Sequence, residues 1–274
     1  VKFCGYILLL SLFVSGCCNC DGQKELKETE PLYSFAVAGH IYGHSQRYTN
    51  SVYPPFLKII EKDIEKEEID FLVLTGDLVP FSVDSNWIKV NEELNGLGVP
   101  WYIARGNHDL GPVMSEITGK SDFTAFTKEK DLFLILNTTN PGWTVDSLQN
   151  ELIAAELKIA DRINNVFVFS HQLWWLRNAP LEFKLDSITT NSNGFYEGES
   201  DFWTQTFPLF ENIGKPVWFF AGDLGAHELF QSYYEDHHQN YHFYASGVGS
   251  GIRDNYLLVS VFENGKVTVI KREF

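Results

Sequence analysis

The sequence predicts a layered α/β sandwich, sheet packed on sheet with helices outside, and three observations carry that reading. Short apolar runs alternate with segments of helical periodicity through most of the chain. The C-terminal part then changes to runs of antiparallel character. Polar motifs stand at the C-terminal tips of the apolar runs, where open α/β sheets collect their ligands. These motifs are Ala38-Gly39-His40, Gly76-Asp77, Gly106-Asn107-His108-Asp109, Ser170-His171 and Gly222-Asp223-Leu224-Gly225.

Phe35-Ala36-Val37 forms the apolar body of the first strand. Pro54-Pro55 precedes a helix over Phe56 to Lys66, where Leu57, Ile60 and Ile64 recur at helical spacing. A second strand spans Asp70 to Thr75. Trp87, Val90, Leu94 and Leu97 then mark a helix that stops near Gly96 and Gly98. Strands follow over Pro100 to Arg105 and Asp131 to Leu136, and Val145 to Ala160 is helical, with Leu148, Leu152, Ala155 and Ile159 on one face. Val166 to Ser170 and Pro216 to Ala221 read as strands. Between them Leu173 to Asn212, rich in Trp, Phe, Asn and Gly, has the character of an insertion that shapes a substrate pocket. Its Trp174 and Trp175 suit either packing or stacking on a sugar or base. Tyr241 to Ala245, Tyr256 to Phe262 and Val267 to Lys271 look antiparallel, the last two joined by a Glu263-Asn264-Gly265 turn.

The N-terminus reads separately. Phe3 to Val14 is an apolar run after Lys2, too short to span a bilayer and of signal-peptide length. Val14-Ser15-Gly16-Cys17 resembles a bacterial lipobox, in which Cys17 carries the lipid; ordinary signal cleavage without lipid is the alternative. Residues 1–16 are thus expected to be a signal peptide, 17–30 a solvated Lys- and Glu-rich tether, and 31–274 one domain. The expected location is the bacterial cell envelope, outside the cytoplasm, with the membrane met through the lipid. All four cysteines (Cys4, Cys17, Cys18 and Cys20) lie in or beside the leader, so no disulfide framework or thiol nucleophile serves the domain. Stability must come from a large core, for which the roughly 245 remaining residues suffice.

The formal charge of −15 argues against non-specific nucleic-acid binding, which needs basic patches. A phosphate substrate is compatible with it, because a bound cation reverses the local field. Asp, Asn and His at the strand tips are donors suited to borderline divalent ions such as Mn²⁺, Fe²⁺ or Zn²⁺.

Taken in order, these motifs resemble the calcineurin-like metallophosphoesterase family from about Ser34 to the C-terminus, with Gly106-Asn107-His108-Asp109 the most specific element. The resemblance implies a four-layer αββα sandwich with mixed sheets. It implies hydrolysis of a phosphomonoester or phosphodiester by a metal-activated water, on a phosphorylated small molecule, glycan or lipid. Carried over, Asp77 bridges two metals, Asn107 and His171 belong to the second site and His40 to the first. His108 is the candidate general acid, and Asp109 is expected to orient its ring. Arg105 suits either a phosphate contact or an ordinary surface role, as does Arg253.

Two departures stand out. The family's Asp-x-His has Ala38 in place of the aspartate, and its Gly-His-x-His reads Gly222-Asp223-Leu224-Gly225. Asp223 still offers oxygen to the second site; Ala38 and Gly225 remove two ligands from the first. One tight divalent ion is therefore expected, with a second, weaker ion on Asp77 and His40. Three explanations compete: a one-metal enzyme, a first site rebuilt by His44 or His227, and a lapsed enzyme kept as an envelope ligand-binding protein. Glu228 and the His237-His238 pair read as surface groups.

Overall fold

The computed structural model describes residues 30–66, 68–191 and 200–274. The expected signal peptide, the Cys17 anchor and all of the tether but Glu30 lie outside the described residues. The described fold is that of the unit Pro31–Phe274.

In chain order it forms β1 (Tyr33–Ala38), α1 (Pro54–Glu65), β2 (Phe71–Leu74), α2 (Asp84–Gly96), β3 (Trp101–Ile103) and α3 (Val113–Thr118). Next come β4 (Thr124–Lys128), β5 (Asp131–Ile135), α4 (Ser147–Glu156), β6 (Asn165–Phe169) and β7 (Val217–Ala221). The chain closes with β8 (Tyr233–His238), β9 (Tyr241–Ser246), β10 (Asn255–Val261) and β11 (Val267–Glu273). One sheet has the order β11-β10-β1-β2-β3, the other β4-β5-β6-β7-β9-β8. Both are mixed. β1, β2 and β3 are parallel, as are β5, β6, β7 and β9, while β10, β11, β4 and β8 are antiparallel to their neighbours.

Strand alternation sorts the side chains into three apolar layers. Phe35, Val37 and Phe71 of one sheet meet Phe133, Phe167, Phe169 and Phe220 of the other. Phe35 stacks on Phe71 at 5.0 Å and meets Phe133 and Phe167 edge-on, each at 5.4 Å. On the opposite face of β1, Ala36 and Ala38 pack with Phe56 and Ile60 of α1 and Trp87, Val90 and Leu94 of α2. The far face of the second sheet packs Val166, Val168 and Phe219 against Ile153 of α4 and the fully buried Trp174, Trp175 and Phe202. The result is the four-layer αββα sandwich with mixed sheets. Trp174 and Trp175 serve packing, with Trp174 4.8 Å from Phe202 and Trp175 5.6 Å from Phe243.

Local signals explain most boundaries. Pro54 and Pro55 occupy the first turn of α1, where their missing N–H and fixed φ suit a helix start. Asp146 caps α4 by accepting from the Gln149 N–H at 2.9 Å. α4 ends at Glu156, short of the expected Ala160, and continues as a 3₁₀ turn over Leu157–Arg162. α3, β4 and β8 were not expected. β4 and β8 are edge strands, and edges hold polar and charged residues that discourage further pairing. Tyr233–His238 (YYEDHH) therefore lacks the apolar run that marks a central strand.

At the N-terminal ends of the strands a buried polar tie joins the sheets. Tyr33 Oη donates to Asp131 Oδ2 at 2.7 Å, Asn165 Nδ2 donates to Asp131 Oδ1 at 2.8 Å, and Trp218 Nε1 donates to Asn165 Oδ1 at 3.2 Å. At the other end, buried Asp254 accepts from the Ser250 N–H at 2.6 Å and fixes the glycine-rich Gly247–Gly251 turn. Burial pushes the Asp254 carboxyl up to about 6 against the pull of the Ser250, Gly249 and Gly251 amides.

Two stability predictions arise here. Phe35→Ala removes the hub of the inter-sheet layer and should cost about 3–5 kcal/mol in urea unfolding; a loss under about 1 kcal/mol would show that this layer does not set stability. The raised Asp254 value means that protonation favours the fold. Its contribution is full below the ordinary carboxylate value of about 4 and is lost as pH rises through about 6. Asp254→Asn cannot ionise. The melting temperature of the parent minus that of the variant should therefore increase as pH falls from 7 to 4.5, and a difference constant with pH would refute the assignment.

Candidate metal centre

The loops leaving β1, β2 and β3 meet those leaving β6 and β7, and this brings the strand-tip motifs together. His40 and Asp77 both adopt the left-handed region, each with φ 56°, although neither is glycine. Such strain concentrates at functional sites. His40 Nε2 lies 3.1 Å from Asp77 Oδ2, and His171 Nε2 lies 3.3 Å from that same oxygen and 3.7 Å from Asp223 Oδ1. Asp77 thus stands between the two imidazoles. Asn107 and His108 lie on a 3₁₀ turn, Asn107–Asp109, and share with His40, Asp77 and Asp223 a cleft of about 250 Å³. His171 is fully buried. Other surface hollows are larger, such as one of about 560 Å³ beside Asp186 and Tyr233, but none of them gathers this donor set.

The His171 ring is set for a cation. Its Nδ1 faces the Thr75 carbonyl at 2.8 Å and must donate there, which leaves the lone pair on Nε2. Metal-binding histidines are held in this way. Nε2 is buried, has no hydrogen-bond partner, and points between two carboxylates. Donor separations of 3.1–3.7 Å are close to the edges of a coordination shell whose metal–nitrogen distance is about 2.0–2.1 Å. Electrostatics agree. Burial opposes charge on Asp77, yet His171 and His40 hold its carboxyl well below the usual range. Burial likewise opposes charge on His171, and Asp77 overrides it, pushing the imidazole up to about 10. The site calls for positive charge, as a proton or as a metal ion. Burial drives His40 down to about 3, so it stays neutral and able to ligate.

Close backbone approach makes this geometry possible. A Cβ on Gly106 would lie 2.2 Å from Asp77 Oδ1, and one on Gly222 would lie 2.1 Å from the Thr75 carbonyl oxygen. Any side chain at either position would push the loops apart.

Two expected roles require correction. Asp109 does not orient the His108 ring. Its carboxylate accepts from the backbone N–H of Asp77 (2.7 Å), Gly106 (3.0 Å) and Leu78 (3.0 Å), so it clamps the Gly76-Asp77 loop to its own turn. The Pro80 carbonyl orients His108 instead, taking the Nδ1 proton at 2.8 Å and leaving Nε2 for the cleft. Arg105 is not placed to grip a phosphate. Its guanidinium is buried, pairs with Asp122 at 2.8 Å and donates to the carbonyls of Asp109 and Gly111. One terminal nitrogen of the exposed Arg253 donates to the carbonyls of Glu228 and Phe230.

The departing positions are filled by packing. Ala38 belongs to the helix-side apolar layer. Gly225 has φ 78°, and a Cβ there would lie 2.6 Å from the Val248 carbonyl oxygen. His44 and His227 do come together, with ring centroids 4.9 Å apart, and Glu228 joins them, its Oε2 2.8 Å from His44 Nε2. Backbone N–H groups of Gln46 and Leu229 donate to Nδ1 of His44 and His227, at 3.0 and 3.2 Å. Both rings therefore carry the proton on Nε2, the reverse of His171, and Arg47 takes the other Glu228 oxygen. This is a hydrogen-bonded ion-pair cluster beside the cleft, and its tautomers oppose metal binding.

Five cleft residues carry no assignment from the sequence: Tyr42, Ser45, Asn191, Ala226 and Phe230. Tyr42 is buried between His40 (5.2 Å) and His108 (5.4 Å), and burial together with the Asp77 charge raises its hydroxyl pKa. Its place two residues after His40 was an available signal. Asn191 sits in the long insertion and Phe230 beyond the last motif, and neither has a periodic or motif signal.

Comparison with known proteins places this architecture. No curated protein sequence matches the chain. A dimetal phosphatase from Danio rerio is similar in structure, with TM-score 0.58 and 11% identity, over 89% of this chain and 97% of that one. Vps29 from Chaetomium thermophilum gives TM-score 0.36 at 12% identity over 88% and 95%. A single mutant of Vps29 from Entamoeba histolytica gives 0.38 at 10% over 88% and 99%. The family model of the calcineurin-like phosphoesterases matches residues 40–244, from the His40 motif into β9. The chain belongs to the calcineurin-like phosphoesterase family.

Proposed function

We propose that this member of a metal-dependent phosphoesterase family hydrolyses a phosphomonoester or phosphodiester at the bacterial cell envelope. The observation that carries the reading is His171, whose backbone-fixed tautomer presents a buried, unbonded Nε2 between Asp77 and Asp223. Asp77, Asn107, His171 and Asp223 would hold one tight divalent ion, Mn²⁺, Fe²⁺ or Zn²⁺ by donor type. Such an ion supplies an acidified water and neutralises phosphoryl oxygens. Protonation of the leaving group falls to His108, whose Nδ1 is fixed on Pro80 and whose Nε2 donates to the departing oxygen. Phe81, next to Pro80, and Tyr48 meet edge to face at 5.4 Å, and both are exposed. The absence of side-chain donors at Ala38 and Gly225 favours the competing reading, a binding protein with lapsed catalysis. Among the described residues no helix is long and apolar enough to cross a membrane; attachment in this reading is through lipid on Cys17.

p-Nitrophenyl phosphate and its bis ester, assayed with Mn²⁺, should both separate the two readings and identify the ester class. His108→Ala should lower turnover by about 10²–10⁴-fold with Mn²⁺ still bound. No parental turnover on either ester, or turnover indifferent to His108, would favour the binding protein. Location is checked separately: Cys17→Ser should move the protein out of the membrane fraction and block lipid labelling, and unchanged fractionation would defeat the anchor.

A further inference from the structure

His40 presents an anomaly. Its ring is buried, yet Nδ1 has no hydrogen-bond partner, and both polar neighbours of the ring lie at Nε2. These are Asp77 Oδ2 at 3.1 Å and Asn191 Nδ2 at 3.0 Å. The Asn191 amide is anomalous too. Its Oδ1 is buried and finds no donor, while its backbone N–H is tied to the Asp223 carbonyl at 3.2 Å. Two buried polar atoms without partners therefore adjoin one contact, between residues 151 positions apart in sequence.

Amide oxygen and nitrogen are nearly isosteric, and their assignment follows from what each must face. Turning the Asn191 amide by half a rotation about its terminal bond would place Oδ1 where Nδ2 now lies, about 3 Å from His40 Nε2. Three lone-pair donors would then converge: His40 Nε2, Asp77 Oδ2 and Asn191 Oδ1. Without a cation they repel, which accounts for the amide presenting its NH₂ group. With a cation each becomes a ligand, and separations near 3 Å correspond to a shell with metal–donor distances of about 2.1 Å. A neutral amide carbonyl is an ordinary oxygen ligand for divalent ions.

We propose that Asn191, from the insertion between β6 and β7, is the replacement ligand of the first metal position, completing it with His40 and Asp77. It stands in for donors absent at Ala38 and Gly225, and the latter cannot be restored by substitution because backbone fills its side-chain space. This assignment rests on the metal-centre reading above. A neutral ligand makes the position weaker than its neighbour, and Asp77 is shared by both.

Calorimetric titration of the metal-stripped chain with Mn²⁺ tests this without reference to turnover. The parent should take up two ions, one tight and one weak. Asn191→Ala should abolish the weak event or weaken it about tenfold or more, leaving the tight one intact. Asn191→Asp, which restores a charged oxygen, should tighten the weak event by about tenfold or more and guards against a folding defect in the alanine variant. His171→Ala, run in parallel, should remove the tight ion. Parental isotherms in both Asn191 variants, or a single parental ion indifferent to them, overturn the assignment while the His171 result leaves the metal centre standing. A parent that binds no ion overturns both.

Discussion

Asp77 is the constraint on which the rest of this structure depends. Its carboxylate is 1% exposed, sits on a left-handed residue, and lies within 3.1–3.3 Å of two imidazoles. A buried charge is costly unless paired and hydrogen-bonded, and every nearby device addresses that cost. Asp109 takes the backbone N–H groups around Asp77, the His108 N–H donates to Asp77 Oδ1 at 3.0 Å, and glycine at 106 lets that turn press against the carboxylate. Asp109 itself is pushed up to about 6, first by burial and then by the Asp77 charge. Buried carboxylates at 77, 109 and 223 face no lysine or arginine among the described residues lining the cleft. A fold that concentrates negative charge in this way, and fixes the Nε2 of a buried imidazole beside it, calls for positive charge there, as a proton or as a metal ion.

Much of this was legible in the sequence because the responsible signals are local. Parallel strands buried on both faces read as continuous apolar runs, and their polar tips mark the edge where ligands gather. Hence β1, β2, β5, β6 and β7 were placed, together with His40, Asp77, Asn107, His108, His171 and Asp223. What was not legible depends on partners distant in sequence. Asp109 as a clamp depends on the Gly76-Asp77 loop folding over it, 32 residues away. Arg105 as an internal brace depends on Asp122. β8 is an edge strand whose charges hide it, and Asn191 belongs to an aperiodic insertion. A motif names the residue type that chemistry needs; it does not say which atom of that residue a neighbour has already engaged.

The histidines show why atoms rather than residue names decide function. His171, His44 and His227 all lie near carboxylates, and by composition each cluster qualifies as a metal site. They differ in what holds Nδ1. A carbonyl oxygen at His171 forces the lone pair onto Nε2; backbone N–H groups at His44 and His227 force the proton there. Proximity is similar in the two clusters, and the second becomes an ion-pair knot with Glu228 and Arg47.

The two proposed metal positions differ in stiffness. Asp77, Asn107, His171 and Asp223 all stand at or just past the tips of buried strands, where sheet hydrogen bonds and close glycine contacts fix the backbone. Asn191 lies on no strand, and among the described residues it is tied to the strand tips by its backbone N–H on the Asp223 carbonyl and its side chain on His40. Donors on rigid elements hold an ion with little loss of entropy on binding, whereas a donor on a loop must be ordered by the ion itself. The asymmetry that begins with Ala38 and Gly225 is therefore carried through to the scaffold. In the proposed arrangement a strong position rests on the sheets, and a weaker one takes its ligand from Asn191, tied beside it to the Asp223 carbonyl.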